Sequence, residues 1–357
     1  MGWENLHKDL VDEINHLTDT SAGEDILSSA KEYIMFDKKK VLVTGGTGMI
    51  GIPLVKMLVD RGAYVTVASM DSDARRRVEN RNVEYLLGDL TSPSTCQHVC
   101  HGKDFVFHLA GIKGSPKMAM EQPADFMIPL LQFNTNMMEA ARKAGVKKYL
   151  FTSSVGVYHP DTILREDDVW KTFPSEHDRF AGWAKRMGEL QAQAYKIQYD
   201  WSDIYIVRPA NVFGPFDNFD IDNAMVIPAL IAKAVTFNKI ILMDNGSALR
   251  DFIYADDVAE GMIHIFEKGY KKPVNLGSGT GYNILTIANT IGEILNVPVE
   301  VGEQPAAGDK IRIMDTNRAK ELGFVAKTSL YDAIKKTIDW YLENKDIERY
   351  NAFKDRK

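Results

Sequence analysis

Three glycines announce chemistry first. In VLVTGGTGMIG, Val41 to Gly51, an apolar stretch of strand character runs into Gly45, Gly48 and Gly51, and the last of these opens a helical pattern. Glycine spacing alone is weak evidence, but a strand before and a helix after give it a mechanism. The glycines permit a tight turn, let the backbone approach a pyrophosphate, and allow the N–H groups at the helix start to face the anion. Thr47, Met49 and Ile50 complete the loop, and the expected ligand is a dinucleotide.

The following strands should supply the rest of that pocket. YVTVA ought to end in an acid if it is to hold the ribose 2'-hydroxyl of NAD, yet the position is Ser69, followed by MDSDARRR. Asp71 displaced into that role suits NAD; Arg75, Arg76 or Arg77 with Ser69 suits the 2'-phosphate of NADP, and the arginine run also suits a solvated helix face. Asp89 and Leu90, after the third strand, are placed to meet the adenine, with helix N-capping as the alternative for Asp89. Leu109, Ala110 and Gly111 after the fourth strand, and Pro209 at the end of the sixth, are expected to line the cofactor.

The elements needed to hold these residues are legible as a pattern. Short apolar strands alternate with helices from Val41 to Pro209: VLV, YVTVA, VEYLLGDL, DFVFHLAG, KKYLFTSS and SDIYIVRPA, with long helical segments through MMEAARKAG and WAKRMGELQAQAYKIQ. That alternation implies an α/β protein with a Rossmann doubly wound parallel sheet. Beyond Pro209 the pattern loosens, with helices expected near 224–237, 284–296 and 329–343, which suggests a smaller C-terminal substrate-binding domain over the strand ends. The domain reading is a helical N-terminal extension over 1–38, a dinucleotide-binding domain over 39–209 plus about 239–271, a substrate domain over 210–238 and 272–345, and a tail over 346–357.

Composition narrows the function classes. The chain has 357 residues and a formal net charge of −6, so no global basic field supports nucleic-acid or anionic-membrane binding. Its two cysteines, Cys96 and Cys100, lack the partners of a zinc site or a disulfide framework and read as buried free thiols. The N-terminal apolar pattern is broken by Lys8, Asp9, Asp12 and Glu13, and no stretch is long enough to span a bilayer, so the expected location is the cytoplasm. His108 with Asp217, Asp220 and Asp222, or the trio Glu176, His177 and Asp178, could be imagined around a divalent metal, but no tight ligand spacing supports one and no metal site is assigned.

TGGTGMIG, GDL, FHLAG, PADF, TSSVGVY, GWAKRMGE, RPANVFGP, DNFD, NAMVIPAL and RDFIYADDVA, in that order, resemble the extended short-chain dehydrogenase/reductase family of nucleotide-sugar epimerases, dehydratases and reductases, most closely its GDP-L-fucose synthase branch. The resemblance runs from about Lys39 to Phe324 and implies NAD or NADP as cofactor and a nucleoside-diphosphate sugar, a GDP-sugar, as substrate. It also implies a homodimer, made by packing the two long helices into a four-helix bundle.

In that family a Ser or Thr, a Tyr and a Lys act together, the phenol giving or taking the sugar's proton while the nearby ammonium favours its ionised form. The resemblance puts the serine at Ser154 and the lysine at Lys185, which also meets the cofactor, but it puts the tyrosine at Ala181. An alanine carries no proton to exchange. The branch's helix asparagine falls on Leu130, and its epimerising cysteine and histidine fall on Gly156 and Met225. Arg250 aligns with the arginine that meets the diphosphate, Asn211 is expected to donate to it, and Val226 with Pro228 to wall the base; Ser153 and Lys113 complete the expected substrate contacts.

Replacement acids or bases near Ser154 and Lys185 are Glu176, His177 and Asp178, of which His177 alone has an ordinary pKa near neutrality. Three functions follow: NAD(P)-dependent epimerase, dehydratase or reductase chemistry with an atypical site; a non-redox isomerisation such as pyranose to furanose exchange; and nucleotide-sugar binding without turnover.

Overall fold

The computed structural model describes residues 35–71, 77–112, 116–304 and 309–345. Within them the apolar runs form a sheet of seven parallel strands: β1 (Lys40–Thr44), β2 (Tyr64–Ser69), β3 (Val83–Leu87), β4 (Phe105–His108), β5 (Lys148–Thr152), β6 (Ile204–Pro209) and, later in the chain, β10 (Val274–Leu276). Their spatial order is β10-β6-β5-β4-β1-β2-β3. Val41, Leu42 and Val43 are all fully buried, because helices cover both faces.

Alternate residues of β1 serve different cores. Val41 and Val43 pack with Leu54 and Leu58 of α1 (Gly51–Asp60) and with Met262 and Phe266 of α7 (Ala255–Lys268). Leu42 faces the opposite layer, α2 (Pro93–Cys100), α4 (Pro123–Lys143) and α5 (Arg179–Tyr199), through Cys100, Met137, Ala141 and Ala192. The short α3 (Pro116–Glu121) precedes α4. Strand order reverses between β1 and β4, so the loops after these two strands face each other across the crevice where open α/β sheets bind ligands.

A second layer is built on β9 (Leu249–Tyr254), flanked by antiparallel β11 (Gly281–Asn283) and parallel β13 (Ile311–Arg312), with β7 (Asn211–Phe213) also parallel to it. β8 (Ile240–Leu242) pairs with β12 (Val299–Val301). Helices α6 (Val226–Phe237), α8 (Ile284–Leu295) and α10 (Leu330–Asn344) enclose a core that includes Phe252, Ile287 and Ile334. The short α9 (Asn317–Glu321) returns toward β10.

Strand pairing redraws the expected domain boundaries. β8 pairs with β12 and β9 with β7, β11 and β13, apart from the large sheet, whereas β10 adds to the edge of the large sheet. Phe36, expected in the extension, is fully buried and packs its ring on Phe266 at 5.7 Å and on Phe105 at 6.0 Å, so the core begins at least there. Residues 1–34 of the helical extension expected over 1–38, together with Arg75, Arg76, Lys113 and the tail over 346–357, lie outside the described residues. Cys96 and Cys100 are buried and free, and burial pushes both thiols up to about 12. Among the described residues no helix is long and apolar enough to cross a membrane.

Candidate active site

The loop after β1 is a fitted backbone cradle. A methyl group added at Gly51 would lie 2.6 Å from the Cα of Gly46 and closer still to the carbonyl oxygen of Gly45, and Gly45 itself has φ +69° beside the backbone of Ala110. Neither position has room for a side chain. Thr44, at the end of β1, accepts from the N–H groups of Leu109 (3.2 Å) and Ala110 (3.1 Å), which ties the two facing loops together.

At the end of β2, the hydroxyls of Thr47 and Ser69 lie 2.7 Å apart, Thr47 donates to the carboxylate of Asp71, and the N–H of Asp71 donates to Ser69 at 3.0 Å. The carboxylate thus reaches the place vacated at the strand terminus. Asp89 is not a helix N-cap: that position is Ser92, and Asp89 accepts from the N–H of Thr91 at 2.9 Å in a local turn. Leu90 is buried beside it.

Deeper in the crevice, Lys185 sits one turn after Ala181 on α5, so both project from one helix face. Its ammonium donates to the Thr152 carbonyl at 2.8 Å and lies 5.3 Å from the centre of the Phe151 ring. Burial pulls it from 10.5 down to about 8, opposed by the charge of Glu189. Ser154 accepts from the N–H of Gly156 at 3.1 Å, which fixes its oxygen and leaves its own hydrogen to donate.

Beneath them lies a buried polar frame. Glu189 binds Arg208 at 2.7 and 2.9 Å, and Arg208 donates on to Tyr158 Oη at 3.0 Å and to the Glu166 carbonyl at 2.9 Å. Tyr158 Oη donates to Asn275 at 2.6 Å, so the turn after β5 is bound to β10 and, through Arg208, to β6. Ser153 donates to Glu189 at 2.6 Å and is 4% exposed, so it belongs to this frame and not to the substrate surface expected of it.

His108 is also structural. Thr44 donates to its Nδ1 at 2.8 Å, and its Nε2–H donates to Asn134 Oδ1 at 3.0 Å, a tautomer assigned from the acceptor role of Thr44 toward two N–H groups. Burial, reinforced by the charge of Lys185, holds the imidazole down at about 3. With both ring nitrogens engaged it joins no carboxylate cluster, and no group of metal-binding side chains occurs among the described residues. Asn134 lies one turn after Leu130 on α4, and its Nδ2 has no hydrogen-bond partner among the described residues.

Ala181 opens onto a recess lined by Glu176, His177 and Asp178 of the turn before α5, together with Phe126, Met120 and Phe180. Bound to Asp178 through one member is an arginine pair. Arg250 and Arg312 are register partners on β9 and β13. Arg312 bonds Asp309 through Nε at 2.8 Å and Asp178 through Nη1 at 2.5 Å, whereas Arg250 donates to the Leu249 carbonyl at 2.9 Å. Burial, with Arg312 alongside, lowers the pKa of Arg250. Arg312 is thus held by two carboxylates, whereas Arg250 forms no ion pair among the described residues and keeps donors of a kind that suits phosphate oxygens.

Residues 41–277 match the NAD dependent epimerase/dehydratase family. The chain belongs to that family. It is therefore an enzyme whose cofactor is a nicotinamide dinucleotide. GDP-L-fucose synthase 1 of Arabidopsis thaliana is 29% identical over 324 residues, covering 87% of this chain and 95% of the relative, and GDP-L-fucose synthase of Escherichia coli K12 is 26% identical over 329 residues, covering 87% and 98%. Among solved structures, an epimerase of Methanothermobacter thermautotrophicus superposes with a TM-score of 0.78 at 24% identity, covering 88% of this chain and 95% of that one. That likeness is one of fold.

Of the expected substrate residues, Arg250 is half-buried and has no ion pair to Asp251 or Asp256; Asp251 instead accepts from Ser278, Gly279 and Met314. Asn211 gives an amide hydrogen to the Asp251 carbonyl at 2.8 Å, so part of its donor capacity joins β7 to β9. Val226 is half-buried in the first turn of α6, and Pro228 is buried in the smaller core, which leaves Val226 alone of the two on the accessible side. Arg312, Asp309, Asn134 and the Glu189–Arg208 pair were not anticipated. Arg312 follows a short apolar alternation with no spacing to Arg250 that sequence could reveal; strand pairing alone brings them side by side.

Proposed function

We propose that this enzyme converts a nucleoside-diphosphate sugar, a GDP-sugar by its motifs, with Ser154 and Lys185 retained and proton transfer moved from residue 181 to the 176–178 turn. The observation that carries the reading is the recess at Ala181, lined by Glu176, His177 and Asp178, the last of which is bound by Arg312 beside Arg250. The diphosphate would lie on the arginines and the sugar in the recess.

The glycine cradle and Asp71 fit a dinucleotide, with the Asp71 carboxylate suited to a ribose 2'-hydroxyl and repelling a 2'-phosphate, which favours NAD. When bound, the nicotinamide supplies a two-electron acceptor and donor. Ser154 orients and polarises the sugar oxygen by donating to it. Lys185, buried and with its pKa pulled down to about 8, stabilises negative charge developing on that oxygen, and the 176–178 turn, with Glu176, His177 and Asp178, supplies the neighbouring acid–base side chains.

A non-redox isomerisation is favoured by one fact, that Ala181 offers no proton-bearing group. NMR of GDP-hexose mixtures incubated with the protein, before and after removal of nicotinamide, separates the readings. Conversion only in the presence of NAD supports the first; conversion that persists in the stripped protein replaces it with the second, and tight GDP-sugar binding without conversion leaves a binding protein.

We further propose a homodimer through α4 and α5, whose outer surfaces carry the exposed Ile128, Leu190 and Ile197. Light scattering on a Leu190→Glu, Ile197→Glu double variant should then report a monomer. The two free buried thiols support a cytoplasmic location.

A further inference from the structure

We propose that Asp178 is the proton-transfer group of this site, replacing the phenol missing at position 181; the proposal rests on reading the site as that of a nucleotide-sugar-converting enzyme. Asp178 stands at the N-cap position of α5, where an aspartate ordinarily accepts from an N–H of the first turn, but its side chain makes no capping bond. Its carboxylate is bound by Arg312 instead.

Gly156 explains where the carboxyl group goes. A methyl added at Gly156 would lie 3.3 Å from Cβ and 3.4 Å from Cγ of Asp178, and 3.5 Å from the hydroxyl oxygen of Ser154. Asp178 and Ser154 therefore border one small volume, which exists because residue 156 has no side chain. Asp178 also lines the recess at Ala181, three residues before it, at the end of the helix face that carries Lys185. Ser154, Asp178, Ala181 and Lys185 thus ring the space for one sugar hydroxyl.

The charged groups around Asp178 give it a release mechanism. Arg312 holds its carboxylate at 2.5 Å and also holds Asp309, while Arg250 lies beside Arg312 across the strand pair; Glu176 and His177 adjoin on the turn. A diphosphate docking on Arg250 beside Arg312 brings a third anion to a guanidinium that Asp178 and Asp309 already share. Asp309 keeps Arg312 in place, and Asp178, with its side chain 33% exposed, is free to turn toward the sugar.

The step is a proton transfer. A carboxylate oxygen of Asp178 takes the hydrogen of a sugar hydroxyl; the sugar O–H bond breaks, its electron pair stays on the sugar oxygen, and an O–H bond forms on the carboxyl group. Ser154 donates to the sugar oxygen throughout. Asp178 then returns the proton to water at the open mouth of the recess, or to the product oxygen in the reverse direction.

The test compares the full-length wild type with D178N, D178A and H177Q, using NMR of a GDP-hexose mixture with NAD for turnover and calorimetry with GDP alone for binding. D178N and D178A should both lose turnover by about 100-fold or more, the usual contribution of a general acid–base group, and H177Q should lose less. Both Asp178 variants should bind GDP as tightly as the wild type or more tightly, because Arg312 loses a competing anion. Turnover of either Asp178 variant within about threefold of wild type, well below an acid–base contribution, overturns the proposal. So does GDP binding weakened about tenfold or more, equivalent to about 1.4 kcal/mol, because Asp178 would then be a clamp that positions the arginines. A wild type that neither binds GDP nor converts any GDP-hexose refutes the functional reading itself, whereas a wild type that does both while the Asp178 variants keep pace refutes only this assignment.

Discussion

Replacing Lys185 by methionine should stabilise the fold while damaging the chemistry. The ammonium is buried against Phe151 with one hydrogen bond, to the Thr152 carbonyl at 2.8 Å, and burial takes its pKa from 10.5 to about 8. A fall of that size corresponds to about 3 kcal/mol of unfavourable charge burial. The folded pKa lies below the unfolded one, so the full cost is present below pH 8, where both states hold the proton. It is relieved as pH rises from 8 toward 10.5, where only the unfolded chain still holds it.

Methionine has similar length and no charge, and its loss of the charged hydrogen bond gives back about 1.5 kcal/mol. K185M should therefore be more stable than wild type by about 1–2 kcal/mol at pH 7. Its advantage should shrink by about 2 kcal/mol between pH 7 and pH 9.5, as the wild-type lysine discharges in the folded state. Urea unfolding of both proteins at the two pH values measures this, and GDP-hexose turnover at pH 7 should fall at the same time. A stability difference that does not change between pH 7 and pH 9.5 refutes the account of Lys185 as a charge held at the site against its solvation.

Gly51→Ala should weaken NAD binding by about tenfold or more, since the added methyl meets loop backbone at 2.6 Å and the cradle must shift by an overpacking cost of about 1–3 kcal/mol; fluorescence titration with NADH measures it, and unchanged affinity would count against the loop as the pyrophosphate site. Glu189→Gln should destabilise the fold by about 3–5 kcal/mol in urea, because it leaves the fully buried Arg208 uncompensated. Acid should unfold the protein partly through His108: with its folded pKa at about 3 against 6.5, stability is lost as pH falls below 6.5, by about 3 kcal/mol at pH 4.5. H108Q should show a shallower loss over that window, and identical slopes would remove the histidine from the account.

Much of this was legible from local pattern. An apolar strand entering glycines and leaving as a helix is a short-range signal, and the backbone around Gly45 and Gly51 is as crowded as that signal requires. The helices expected near 224–237, 284–296 and 329–343 occur as Val226–Phe237, Ile284–Leu295 and Leu330–Asn344, because their apolar periodicity is itself what the smaller core buries. The domain boundaries were less legible: an isolated strand such as Ile240–Leu242 or Val274–Leu276 carries no mark of which sheet will take it.

At the site, sequence by itself determined which groups are present and which are not: Ser154 and Lys185 retained, no phenol at Ala181, and a short run of acid–base residues just before it. Tertiary structure decided what they do. Ser153 was turned inward by Glu189, His108 was sealed between Thr44 and Asn134, and Asp178 was drawn by Arg312 into the space left open at Gly156. Those outcomes depend on contacts between residues distant in the chain, where burial and a single opposing charge fix a side chain's direction. Residue type sets the chemistry available to a side chain, but only its packed neighbours set which atom it faces.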